Sequence, residues 1–222
     1  MSDMARMAEG LRRRASRLAS AARRLKSAAG AAAPFHLAFA TDRRRGPDAM
    51  LVARALPAGA ALIFRDYDDP NRAARARALK TICAARGVLF LVGGDAALAG
   101  EIGAGLHLRS DQLRAPPARP ALLTASCHSA EDLARAAALG ADAAILGAAF
   151  PTASHPGAEA LGAPGFKALA AKAGLPVLAI GGVDEMNAWR LAGPNVAGFV
   201  AIGAFEKRRG GPLRSAPARH PL

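Results

Sequence analysis

Short apolar runs, each closed by polar or glycine residues, recur along this chain from position 35 onward. They fall at 35–41, 60–64, 88–92, 105–108, 122–126, 143–146, 176–180 and 198–202. A continuous apolar run of this length, bounded by turn residues, reads as a strand buried on both faces. Between most of the runs lie Ala-rich stretches of helical character, at 47–56, 70–86, 95–102, 129–139, 164–173 and 184–192. The link between the fourth and fifth runs contains Ala115-Pro-Pro-Ala-Arg-Pro120 and reads as a loop. Eight strands alternating with helices predict an α/β chain folded as a parallel, eight-stranded (β/α)8 TIM barrel over residues 31–209.

The first 30 residues follow a different pattern. Met4, Leu11, Leu18 and Leu25 are seven apart, and Ala8, Ala15 and Ala22 lie four after the first three, which makes one narrow apolar stripe on a helix. Eight basic residues against Asp3 and Glu9 cover the rest. This predicts a basic N-terminal helical arm packed on the barrel or on a second subunit, so a homo-oligomer is open. The stripe has no aromatic residue, which argues against a membrane-surface helix, although the Arg-rich, acid-poor makeup also mimics a transit peptide. Residues 210–222 are rich in Pro, Gly and Arg and are expected to be a disordered tail.

Composition changes this picture little. The 222 residues are 52% hydrophobic, enough for a large core, but aromatic residues are scarce, so the core must be built from Ala and Leu/Ile/Val. No apolar run reaches the roughly 18 residues of a membrane span. Cys83 and Cys127 are too few for a disulfide framework and belong to no CxxC, which points to a reducing cytoplasm. The net charge of +13 comes from Arg scattered through an Ala/Arg/Gly/Pro-rich chain, and no nucleic-acid partner is expected from it.

The candidate chemistry gathers just after the strands, positions that share the active-site face of such a barrel. In Ile180-Gly181-Gly182-Val183, glycine lets a ligand approach backbone N–H groups with no Cβ in the way. With Asp184 as cap of a following helix, this is either a phosphate cup or a tight strand–helix turn. Arg65 ends a buried strand and is the candidate charged contact inside the mouth. His128 follows the fifth strand and is either a proton-transfer group or a helix cap. His107, inside the fourth strand, reads as a hydrogen-bonded core or barrel-end residue, Cys127 as a small buried residue and Trp189 as packing. Arg43-Arg44-Arg45 is a solvated turn or attracts phosphate to the mouth.

The order of these pieces resembles that of thiamine-phosphate synthases and their relatives, the TenI-type thiazole tautomerases. The matching segments are Ala40-Thr41-Asp42, Phe64-Arg65-Asp66, Glu101-Ile-Gly-Ala104 leading to Leu106-His107-Leu108, and Ser126-Cys127-His128-Ser129. Leu146-Gly147, Phe150-Pro151-Thr152-Ala153-Ser154 and Ala179-Ile180-Gly181-Gly182-Val183 complete the set, over roughly residues 35 to 206. The resemblance implies a thiamine biosynthesis enzyme that couples a pyrimidine methyl diphosphate with a thiazole phosphate and releases pyrophosphate, with Mg²⁺ as cofactor. It implies a thiazole-phosphate site at Thr152, Ser154, Gly181, Gly182, Ile202 and Gly203, with Ser126 and His128 at the reacting centre.

The chain departs from the synthase pattern at the other end of the site. Tyr67 stands where the synthase carries a Lys, and a neutral phenol does not replace an ammonium against pyrophosphate. The metal-binding Asn-Asp appears as Gly93-Gly94, with Asp95 one place late, and the Gln-Glu-Asp appears as Ser110-Asp111-Gln112. The Lys after the Pro-Thr segment falls near His155. Asp95 and Asp111 are thus the candidate metal ligands if the loops shift. A tautomerase using His128 needs neither metal nor pyrophosphate site and is the alternative enzyme. A catalytically degenerate barrel that binds a phosphorylated ligand is the alternative outside enzymes.

Overall fold

In the computed structural model, described for residues 3–29, 32–43, 46–114, 116, 118–152 and 159–205, eight parallel strands close on themselves in chain order. The strands are β1 Leu37–Ala40, β2 Ala61–Phe64, β3 Leu89–Gly93 and β4 Gly105–Leu108. They continue as β5 Leu123–Cys127, β6 Ala143–Leu146, β7 Val177–Ile180 and β8 Val196–Ala201. All eight lie where the apolar runs predict them. Helix α1 spans Asp3–Ala29, and α2 Ala49–Ala55, α3 Arg72–Ala85, α4 Ala96–Ile102, α5 Ala130–Ala138 and α6 Gly162–Ala171 form the outer layer. Asp48, Asp95 and Ser129 cap α2, α4 and α5, each accepting a backbone N–H of the first turn.

Side chains alternate along each strand, and the alternation divides the apolar residues into two sets. Ala38, Ala40, Ala61, Ile63, Leu91, Ala143, Ile145, Leu178 and Val200 pack together inside the barrel. Their neighbours, such as Phe39, Leu62, Phe64, Val92, Leu146 and Phe199, point outward into the layer beneath the helices. The interior is therefore filled with small and branched residues and is a packed core rather than a pore.

One predicted helix is absent. Residues 184–192 form a turn followed by a 3-10 helix at Ala188–Leu191. The Asp184 carboxylate accepts the N–H groups of Met186 and Asn187, and the Asn187 side chain accepts the Asp184 N–H and donates to the Gly182 carbonyl at 2.7 Å. These side-chain bonds offer the backbone an alternative to helix, and Pro194 soon follows. A second 3-10 turn, Ser110–Gln112, precedes the proline-rich loop between β4 and β5.

Because only this short segment links β7 to β8, another element must cover the outer face of β8. Helix α1 does so on its own barrel: Ala15, Leu18, Ala19, Ala22 and Leu25 join the same core as Phe39 and Phe199. Arg14 and Arg17 reach Glu185 at 3.9 and 3.7 Å, tying the helix to the β7–β8 segment. The heptad stripe is only partly used. A helix of 27 residues is about 40 Å long, far more than strands of four to six residues, so Met4 and Met7 extend past the barrel and stay exposed. The expected tail at 210–222 lies outside the described residues.

Leu25→Ala removes a nearly fully buried side chain between α1 and the barrel, and is expected to lower unfolding stability by about 2–4 kcal/mol in denaturant titration. A loss below roughly 0.5 kcal/mol, the range of surface substitutions, would mean that α1 does not pack there in solution.

Candidate active site

Three groups of residues meet at the C-terminal ends of the strands. The first lies on β4 and β5. His107 and Thr124 are neighbours in the β4–β5 register and both point into the barrel. The His107 ring is 2.9 Å from the hydroxyls of both Thr124 and Ser126, so one ring nitrogen donates and the other accepts. Burial, with Arg65 nearby adding its charge, pushes the His107 pKa down to about 3, so the imidazole is neutral and serves as a rigid bracket. It fixes Ser126, which is half-buried at the mouth. The hydrogen-bonded reading of His107 holds. Thr124, its partner, was not singled out from sequence. The signal was there in its spacing, two positions before Ser126 on the same face of β5.

His128 continues that inward-facing series and is exposed at the rim. Its Nδ1 lies 2.9 Å from the Gly147 carbonyl, which can only accept, so Nδ1 is the donor and Nε2 is the ring nitrogen left facing away from this bond. The His128 N–H donates to Asp132 at 2.8 Å, and Ser129, not His128, caps α5 through its side chain. Cys127 points outward into the core, and burial raises its thiol pKa to about 12, so it is an inert packing residue.

The second group follows β6, β7 and β8. The β6–α6 connection runs beside the end of β7: Ala149 and Phe150 donate to the carbonyls of Ile180 and Gly181 at 2.8 and 3.0 Å. Gly182, at φ +63°, has no room for a side chain, since a Cβ would stand 2.6 Å from the Pro151 carbonyl oxygen. Among the described residues no backbone carbonyl takes the N–H of Gly181, Gly182 or Gly203. Ile202 is half-buried against the barrel interior and contributes an apolar wall. Thr152 is half-buried at the end of the described part of the connection, while Ser154 and His155 lie outside the described residues.

The third group follows β2, β3 and β4. The Arg65 backbone N–H donates to the Thr41 hydroxyl at 2.8 Å, and its side-chain Nε donates to the Thr41 carbonyl at 3.4 Å. Tyr67 lies over the Gly93–Gly94 pair, with the guanidinium groups of Arg72 and Arg109 at 5.2 and 5.3 Å from its ring centroid. Burial raises the Tyr67 pKa, only partly offset by Arg65, Arg109 and Arg72, so the phenol keeps its proton. Asp95 accepts the Leu98 N–H as cap of α4, and its other oxygen is 4.0 Å from Arg72. Both oxygens of Asp111 accept from Arg109, at 2.9 and 2.6 Å. Among the described residues no three His, Cys, Asp or Glu side chains form a metal-binding group. Asp95 and Asp111, the carboxylates this corner would lend a hard divalent cation, instead face a helix N-terminus and a guanidinium, with Arg72 and Arg109 beside them, which fits a cation poorly. Arg72 and Arg109 were not singled out from sequence, because what matters about them is their shared contact with Tyr67.

Fold and site together define a class: a (β/α)8 barrel with glycines 181, 182 and 203 on one side of its mouth and the guanidinium groups of Arg65, Arg72 and Arg109 on the other. The family model described as thiamine monophosphate synthase (TMP-TENI) matches residues 37–205, and the chain belongs to that family. It is 40% identical over 143 residues to a thiamine-phosphate synthase of Thioalkalivibrio sulfidiphilus, covering 60% of this chain and 68% of the relative. A thiamine-phosphate synthase of Chromobacterium violaceum is 40% identical over 165 residues, covering 70% and 79%. Among solved structures, a thiamine phosphate pyrophosphorylase from Pyrococcus furiosus superposes with a TM-score of 0.60 at 27% identity, over 75% of this chain and 84% of that one. No helix among the described residues is long and apolar enough to cross a membrane.

The buried neutral His107 has a measurable consequence. The unfolded chain binds a proton here near the ordinary value of 6.5 and the folded chain only near 3, so this contribution to stability is complete above pH 6.5 and is lost as pH falls toward 3. Between those limits the slope it adds is about 1.4 kcal/mol per pH unit. In denaturant titrations from pH 4 to 6, His107→Gln is expected to flatten the dependence by that one-proton slope. An unchanged slope would mean that His107 is protonated in the fold.

Proposed function

We propose that this chain joins a pyrimidine methyl diphosphate to a thiazole phosphate, giving thiamine phosphate and pyrophosphate. The observation that carries the reading is the pairing of two anion-receptive ends on one mouth. In a closed eight-stranded barrel, the ends of β3 and β4 stand across from those of β7 and β8. The glycine N–H groups of residues 181, 182 and 203 suit a phosphate monoester, with Thr152 on the neighbouring β6–α6 connection. The guanidinium groups of Arg65 and Arg109 suit a diphosphate. The names of the similar proteins support the same reaction.

The chemistry asks for charge stabilisation rather than for a nucleophile. The C–O bond of the pyrimidine ionises, the electron pair leaves with the diphosphate, and the carbocation is captured by the thiazole nitrogen. Guanidinium groups aimed at the leaving oxygens lower the barrier because negative charge develops there in the transition state. The bracketed Ser126 hydroxyl lies at the mouth and can orient a ring. His128, oriented through its Nδ1 bond to Gly147, can exchange a proton with a substrate ring through Nε2.

A second reading, thiazole tautomerisation, is favoured by one specific observation: the Gly147 carbonyl engages His128 Nδ1, which orients the ring and leaves Nε2 as the nitrogen available to a substrate. The two are separated by supplying the pyrimidine diphosphate and the thiazole phosphate together and following thiamine phosphate by fluorescence after oxidation. In parallel, the thiazole tautomer is followed alone by proton NMR in D₂O. Product formation, reduced about 100-fold or more by Arg65→Ala, is the expected result. Proton exchange without product, lost about 100-fold or more in His128→Ala, would assign the tautomerase instead. Saturable binding with neither reaction would leave a ligand-binding barrel and overturn both.

A further inference from the structure

The corner at the ends of β2, β3 and β4 is built around the aromatic ring of Tyr67. A Cβ on Gly93 would meet the Tyr67 hydroxyl oxygen at 3.2 Å and the Phe64 carbonyl oxygen at 3.0 Å. On Gly94, at φ +69°, it would meet Tyr67 Cε1 at 3.2 Å and Arg109 Cδ at 3.1 Å. A side chain at either position would press on the ring at 67 and force it to shift. The glycines and the tyrosine are therefore one structural unit, not three separate losses.

The oxygens left in this corner are already used. The Gly93 carbonyl accepts from Arg72 at 2.6 Å and the Gly94 carbonyl from Gln112 at 3.1 Å. Asp95 caps α4 and Asp111 faces Arg109. Arg72 is locked in place: it also donates to the Asp66 carbonyl at 2.8 Å and lies over the Phe64 ring, with only 14% of its side chain exposed. A divalent cation entering here would have to displace these donors and would stand among the charges of Arg65, Arg72 and Arg109. An anion meets the reverse situation. The Arg109–Asp111 pair is 46% and 61% exposed, and such a surface pair contributes only about 0–1 kcal/mol. A more highly charged phosphate group can displace the carboxylate and take the same two guanidinium donors.

We propose that this corner is a diphosphate site that works without a divalent cation. Arg109 and Arg65 bind the group directly, the Tyr67 hydroxyl donates to it, and Arg72 holds the tyrosine in position. Asp111 is then a competitor for Arg109 and not a metal ligand. The site deepens the proposed synthase reading, which supplies the natural diphosphate ligand, but it is tested with inorganic pyrophosphate alone.

The test is calorimetric titration of the full chain with inorganic pyrophosphate, in EDTA and in excess Mg²⁺, together with Mn²⁺ titration read by electron paramagnetic resonance. Saturable pyrophosphate binding in EDTA is expected, with no protein-bound Mn²⁺. Arg109→Ala should weaken the binding about 10-fold or more. Asp111→Asn, at an exposed position that leaves the fold intact, should tighten it. Binding that appears only with Mg²⁺, a protein-bound Mn²⁺ signal, or weakening by Asp111→Asn would overturn the proposal. So would pyrophosphate binding that Arg109→Ala leaves unchanged, since the ion would then sit elsewhere on a basic surface. Absence of thiamine phosphate formation, with pyrophosphate still bound in EDTA, would overturn the synthase reading and leave this site standing.

Discussion

Closure of the sheet by the β1–β8 pairing is the constraint on which everything at the mouth depends. Leu37, Ala38 and Phe39 pair with Phe199, Val200 and Ala201, and the Phe199 N–H donates to the His36 carbonyl at 3.0 Å. Without that seam the ends of β3 and β7 would belong to an open sheet and would not face each other. The seam is also where a helix is lacking, since the chain after β7 makes only a 3-10 turn. The N-terminal helix supplies the missing cover, and the outer rings Phe39 and Phe205 pack edge to face at 5.2 Å beside it. The basic arm is thus part of what keeps the barrel closed.

Within that frame the two sides of the mouth obey different physics. The β7–β8 side offers backbone N–H groups whose positions the fold already fixes, so no side chain has to be ordered around a ligand. It requires close approach of neighbouring backbone, and hence glycine at 182. The β2–β4 side offers side-chain charge, held by packing on an aromatic ring. Guanidinium groups keep their charge under these conditions and can lie over a ring while still donating hydrogen bonds, which an ammonium does less well. Between the two sides, His107 is kept neutral by burial, so the centre of the mouth carries hydrogen-bond donors and acceptors without adding a further charge.

The sequence determined the barrel. Alternation of short apolar runs with Ala-rich helical stretches is a local property, and each strand lies where its run predicts it. It also determined the glycine pair after β7 and the place of His128 at the end of β5. It overstated the helix at 184–192, because the reciprocal Asp184–Asn187 bonds that end it depend on side-chain geometry that periodicity does not register.

What tertiary structure decided are the relations between residues far apart in the chain. Thr124 and Ser126 share one imidazole from the neighbouring strand because the β4–β5 register brings them there. Asp95 and Asp111 look like displaced ligands in the sequence, but their oxygens face a helix N-terminus and a guanidinium. Tyr67, Arg72, Gly93 and Arg109 come from four different segments, and only packing makes them one corner. Composition and spacing fix which groups are available. Whether a carboxylate faces a cation, a helix end or an arginine is set by distances of a few ångströms, over which electrostatic energies change steeply, and those distances exist only in the folded chain.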